Sequence, residues 1–198
     1  ALDAADFSIT GNAGGGLETV DVKDDGAQTT LDAGDATYTN SGITITADHA
    51  SDSIETGGGV DTITIGNLDL NGTLAFGAGD DVLASSHASA DVEGTTISGL
   101  KIITLAQDTN LAVTEAQLTT FNAITGFAIT GNAAGGTETV DLGVDGAQST
   151  LDYSDITYTN SGVTATADHA SDSFTTGGGA DTITIGNLDL NGTLAFGA

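Results

Sequence analysis

Short runs in which apolar and polar side chains alternate recur along the whole chain. They include FSIT at 7–10, TVDV at 19–22, TYT at 37–39, ITITA at 43–47 and DTITIG at 61–66, then TLAFG at 73–77, DVLA at 81–84 and LKIITLA at 100–106. Their Thr, Ile and Val content and their period of two predict β-strands with one face buried. Clusters of Gly, Asn and Asp separate the runs and predict tight turns. One stretch breaks the alternation. In NLAVTEAQLTTFNAITG at 110–126, Thr114 and Gln117 have the spacing of a capping box, and Leu118 and Phe121 fall on one helical face. A single short helix is expected there.

The pattern also repeats at long range. Residues 6–78 align without a gap on residues 126–198, and 16 of the 73 aligned positions differ. The stretch DTITIGNLDLNGTLAFGA is identical at 61–78 and 181–198. The chain therefore reads as a first repeat, 1–125, followed by a truncated second, 126–198, with a period of 120 residues. It is expected to be a piece of a longer array, and no secretion signal is visible at its start. Repetition this close favours a structural role over catalysis, because a stalk or lattice gains from every copy.

Two all-β architectures fit these strands. One is a right-handed parallel β-solenoid, β-roll-like, with one short helix per repeat. The other is a string of tandem β-sandwich domains. The chain has no Cys, Met, Trp or Pro, only 6 Phe and 3 Tyr, and 29 Gly. A core made of Ala, Val, Leu and Ile must be thin, and glycine corners must be frequent. Both traits favour the solenoid.

Charge narrows the function. Asp and Glu number 28 against 2 Lys or Arg, for a formal net charge of −26. That field repels nucleic acid and anionic lipid. No apolar run reaches 18 residues, so membrane insertion is not expected. The absence of Cys excludes disulfides, thiolate metal sites and a Cys nucleophile. Self-repulsion in a compact fold is relieved either by elongation or by bound cations.

The turns share a grammar, G-x-D-x-U, in which U is a large apolar residue. It appears as GVDTI at 59–63 and GDDVL at 79–83, with looser forms ASDSI at 50–54 and GLETV at 16–20. The second copy has GTETV at 136–140, ASDSF at 170–174 and GADTI at 179–183. Glycine can turn carbonyl oxygens inward and aspartate adds a carboxylate, which together are the oxygen donors that Ca²⁺ takes. An aspartate that merely caps its own turn gives the same pattern, and this is the plainer reading of Asp52 and Glu18.

These segments resemble the nonapeptide G-G-x-G-x-D-x-U-x of RTX (hemolysin-type) calcium-binding repeats, found in bacterial surface-layer proteins and giant repeat adhesins. The resemblance covers 47–84 in the first copy, and both full turns lack the motif's first glycine, having Thr56 and Phe76 there. It implies a parallel β-roll, Ca²⁺ as cofactor and type I secretion. Carried over by position, the metal residues would be Gly57, Gly59, Asp61, Gly77, Gly79 and Asp81, with Asp48 and Asp52 in the preceding turn. In the second copy they would be Asp172, Gly177, Gly179 and Asp181. Asp61 and Asp81 would share one ion through facing turns.

Other features carry less. GNAGGG at 11–16 leads into a strand and lacks the Lys-Ser/Thr of a phosphate loop. His49 and His169, in the repeated ADHASDS, read as turn histidines. The TIT and TYT runs could form threonine ladders, which makes an ice- or glycan-binding solenoid the first alternative. A polysaccharide-acting β-helix enzyme is the second, although no paired acid/base carboxylates support it. NGT at 71–73 and 191–193 matches a glycosylation acceptor but is first a turn. The expectation is a non-enzymatic, calcium-binding structural repeat of a secreted protein of the bacterial cell surface. Its partners would be calcium ions and neighbouring repeats or copies, with a glycan or surface ligand as a further candidate.

Overall fold

The computed structural model describes residues 2–3, 8–10, 18–22, 30–33, 37–39, 41–66, 69–132, 138–142, 150–186 and 189–197. The glycine loop at 11–16 lies outside the described residues, and so does the side chain of Glu18.

The first copy opens with β1 (Leu2–Asp3), β2 (Ser8–Thr10), β3 (Glu18–Val22), β4 (Thr30–Asp32), β5 (Thr37–Thr39) and β6 (Ser41–Ala47). It continues with β7 (Ser53–Glu55), β8 (Thr62–Ile65), β9 (Thr73–Ala75), β10 (Val82–Ser85) and β11 (Ser89–Asp91). β12 (Thr96–Ser98), β13 (Ile102–Leu105), β14 (Asn110–Val113) and helix α1 (Glu115–Asn122) complete it. The second copy holds β15 (Ala128–Thr130), β16 (Glu138–Leu142), β17 (Thr150–Asp152) and β18 (Thr157–Thr159). It ends with β19 (Ser161–Ala167), β20 (Ser173–Thr175), β21 (Thr182–Ile185) and β22 (Leu194–Ala195).

Strands from successive coils pair in parallel and build a β-solenoid. The longest sheet runs β3-β6-β8-β10-β13-β15-β18, one strand per coil over seven coils. A second runs β1-β4-β7-β9-β12 and a third β11-β14-β16-β19-β21. Two shorter ones are β17-β20-β22 and β2-β5. Sandwiches are built from antiparallel sheets, so this pairing excludes the tandem-sandwich alternative.

Register explains the alternation. Ile45, Ile63, Leu83, Ile103 and Ile129 stand in one column of the longest sheet, and all are buried. Leu31, Ile54 and Leu74 form the matching column of the second sheet. Each such side chain contributes about 1.5–3 kcal/mol of burial. The core is narrow, as the shortage of aromatics requires.

Helix α1 fills the place where the second sheet stops. Thr114 Oγ1 accepts from Gln117 N at 3.1 Å while Gln117 Oε1 accepts from Thr114 N at 2.8 Å, which is the expected capping box. Gln117 Nε2 also donates to the carbonyls of Val92 (2.7 Å) and Thr95 (2.8 Å), fastening the helix to the coil beneath. Leu118 and Phe121 are buried, and Phe121 stacks on Phe127 with centroids 5.0 Å apart.

The two copies do not sit alike. β2, β3 and β4 correspond in sequence to β15, β16 and β17, yet each counterpart lies in a different sheet. β3 belongs to the longest sheet, for example, and β16 to the third, while β15 takes the place in the longest sheet. The five strands and the helix of residues 79–125 fill two coils, β10-β11-β12 and β13-β14-α1, and β15 then enters the longest sheet, whereas its counterpart β2 lies outside it.

Candidate functional site: the glycine–aspartate turns

The turn 57–60 connects β7 to β8, and the turn 77–80 lies over it in the next coil. Thr56 N donates to Ala75 O and Gly59 N to Ala78 O, both at 2.9 Å, so the turns are tied backbone to backbone. Gly59 and its counterpart Gly179 have φ of 127° and 120°, which L side chains rarely adopt. The aspartates follow directly. Thr44, Thr62, Val82 and Ile102 are aligned across four coils, so Ile43, Asp61, Asp81 and Lys101 form the adjoining column. The steps of 18 and 20 residues both keep register, and Asp61 and Asp81 are brought together as expected.

Each carboxylate reaches back one coil. Asp61 Oδ1 accepts from Ile43 N at 2.7 Å, and Asp81 Oδ1 accepts from Asp61 N at 2.8 Å. Asp181 Oδ1 accepts from Val163 N at 3.0 Å in the second copy. Both first-copy aspartates are fully buried, whereas Asp181 is half-buried. Thr56 Oγ1, Asp61 Oδ2 and Asp81 Oδ2 are buried without a hydrogen-bond partner. The Thr56 hydroxyl is near enough to be felt by Asp61, but lies outside hydrogen-bond geometry.

The preceding corner behaves differently. Asp52 Oδ2 accepts from His49 N at 3.0 Å, and Asp172 Oδ2 from His169 N at 2.9 Å. The imidazoles cap the same corners, since Nδ1 of His49 and of His169 accepts from Ser51 N and Ser171 N. Asp52 and Asp172 thus serve their own turns, the plainer of the two readings, and Asp48, just before the first of these corners, is half-buried. Gly57 and Gly77 lie in the stacked turns, and Gly177 packs beneath the Tyr158 ring. Burial, reinforced by the charge of Asp181, pushes the Tyr158 phenol well up.

Sequence reasoning passed over two participants. Glu138 is fully buried, with Oε1 accepting from Asp108 N at 3.2 Å and Oε2 from Asn132 N at 3.1 Å. Its place in GTETV was the available signal. Lys101 ends the aspartate column and sets its ammonium 3.5 Å from Asp80 Oδ1. Its position after Asp61 and Asp81 at a constant step of 20 would have marked it.

Compared with family models, curated proteins and solved structures, the chain matches none. The site is read from its own geometry.

Two carboxylates and one hydroxyl are too few for the six to eight oxygens of a Ca²⁺ shell. Among the described residues no group of three or more His, Cys, Asp or Glu side chains could hold a metal. The side-chain donors at Asp61 and Asp81 therefore do not by themselves fit the ion. The threonine ladder is also short: Thr44 and Thr46 adjoin Thr62 and Thr64, then Val82 and Ala84 interrupt it.

Burial raises both carboxyl pKa values. Asp81 is pushed up to about 6, chiefly by burial, with the Asp61 N–H opposing and the charges of Asp61 and Asp80 adding. Asp61 is raised as well, burial again being the largest cause, against the Ile43 N–H and Thr56. A carboxyl with a raised folded pKa holds its proton more tightly when folded. Its contribution is complete below the unfolded value of 3.8 and is lost as pH rises through about 6. Without divalent cations, the urea midpoint is expected to be higher at pH 5 than at pH 8. Equal midpoints would refute the assignment.

Proposed function

We propose that the chain is a structural repeat of a secreted bacterial cell-surface protein, stabilised by calcium, whose copies add length to one continuous rod. The observation that carries this reading is the pairing across the copy boundary. β13 pairs with β15 and β14 with β16, in the same parallel register as pairs within a copy. Adjoining repeats share a core, so the chain lengthens one body, as suits a stalk, fibre or lattice element. Neighbouring repeats or copies are its natural partners, and in this reading it performs no chemistry.

Calcium enters through the surface. Exposed Asp32 and Glu55 are register neighbours on successive coils, and Asp69 bridges to Asp91. Like charges placed side by side are destabilising, and a divalent cation relieves them. Binding that favours the folded chain stabilises it by mass action, with affinity around 10⁻⁴–10⁻³ M in extracellular modules. Thermal melts followed by circular dichroism check this. Millimolar Ca²⁺ is expected to raise Tm above that in EGTA with NaCl at matched ionic strength, and an unchanged Tm would remove calcium from the proposal. Electron microscopy of the producing cell's surface tests the location.

A further inference from the structure

We propose that the carboxylates Asp61, Asp81 and Glu138, fully buried, and the half-buried Asp181 are metal-independent clamps tying coil to coil, rather than the calcium ligands their motif resembles. All four spend at least one oxygen on a backbone N–H of another coil or turn. Three do so at the same register position, one residue before pairing with the next coil begins.

That place has a specific need. One residue further on, the ordinary ladder begins: Val82 N donates to Asp61 O and Ile102 N to Asp81 O. At that register position the N–H groups of Ile43 and Asp61 find a carboxylate instead, and a buried N–H without an acceptor is costly. The glycines fit the same purpose. A Cβ on Gly79 would lie 1.6 Å from Gly59 O and 2.9 Å from Asp81 Oδ1, and one on Gly131 would lie 2.4 Å from Glu138 Oε2. These glycines leave room for the neighbouring backbone and the clamp. The column ends at Lys101, where no carboxylate is placed. Glu138 departs furthest from a ligand, since both of its oxygens are taken by N–H donors.

A clamp needs an acceptor oxygen but no charge, whereas a calcium site draws its affinity from the charge of its ligands. Asparagine separates the two roles. Its carboxamide oxygen accepts the same N–H bond. At position 61 the Thr56 hydroxyl, which has no hydrogen-bond partner and lies close enough to influence Asp61, is the nearby acceptor for its amide group.

The test is a set of thermal melts of the whole chain in EGTA and in millimolar Ca²⁺, comparing the parent with Asp61→Asn, Asp81→Asn, Asp61→Ala and Asp81→Ala. The Asn variants are expected to melt no more than about 2 °C below the parent in both buffers, and to keep whatever calcium shift the parent has. The Ala variants are expected to lose about 4–8 °C in both, or to fail to fold. An Asn variant that falls as far as its Ala counterpart, or loses the parent's calcium shift, would overturn the clamp. So would Ala variants that melt with the parent. A parent without any calcium shift would count against the calcium reading above, while the Asn–Ala difference in EGTA would still decide this one.

Discussion

Replacing Gly79 with alanine is expected to destabilise the fold by about 3 kcal/mol or more, while the same change at Gly58 costs little. The two glycines lie in stacked turns one coil apart, and the turn grammar that marks Gly79 does so for its carbonyl, not for any lack of room at its Cα. At Gly79 an added Cβ would stand 1.6 Å from Gly59 O, where only movement of backbone could relieve it. That carbonyl belongs to the previous coil, so the coils themselves would have to separate. At Gly58 the nearest atom, Ala78 O, is 3.9 Å away, an ordinary contact. Overpacking a tight interior costs about 1–3 kcal/mol and more where backbone must shift. Urea titrations of both variants check the ranking. Comparable losses at both sites would mean that the coils are not stacked in this register.

Ile63→Ala is expected to cost about 2–5 kcal/mol, and Ile183→Ala markedly less. The two residues sit in an identical stretch of 18 residues, 61–78 and 181–198. Ile63 is fully buried between Ile45 on one side and Leu83 on the other. Among the described residues Ile183 pairs with Ala165 alone and is only partly buried, and Ile185, the counterpart of fully buried Ile65, is 51% exposed. The cavity left by Ile63→Ala would be closed in by neighbours, whereas the other would open to water. Chemical denaturation of each variant reads the difference directly. Equal costs would show that the second copy is packed like the first.

The solenoid was legible because its determinants are local. A period of two in the apolar residues sets strands with one buried face, as the column from Ile45 to Ile129 shows. Glycine clusters at steps close to 20 residues set the corners, and the Thr114–Gln117 pair set the helix start. The aspartate column was legible too, because a constant step places Asp61 and Asp81 at one register position. What each carboxylate does there was not legible. A turn aspartate can cap its own corner, as Asp52 does, or reach back a whole coil, as Asp81 does, with the same residues around it.

Most strands, the corners, the helix and the repeat follow from propensity and periodicity, which act over a few residues, although Asn110–Val113 at the head of the helical stretch forms β14. The tertiary stacking of coils chose which sheet each strand joined. Identical segments occupy different sheets in the two copies, because the second copy enters the stack at β15 in the longest sheet whereas its counterpart β2 lies outside it. It likewise decided that Ile63 is core while Ile183 is not, because burial depends on which coil lies alongside. The same holds for Asp81, whose N–H partner comes from a residue 20 positions away. That partner is set by coil stacking, and no property of the turn's own residues specifies it.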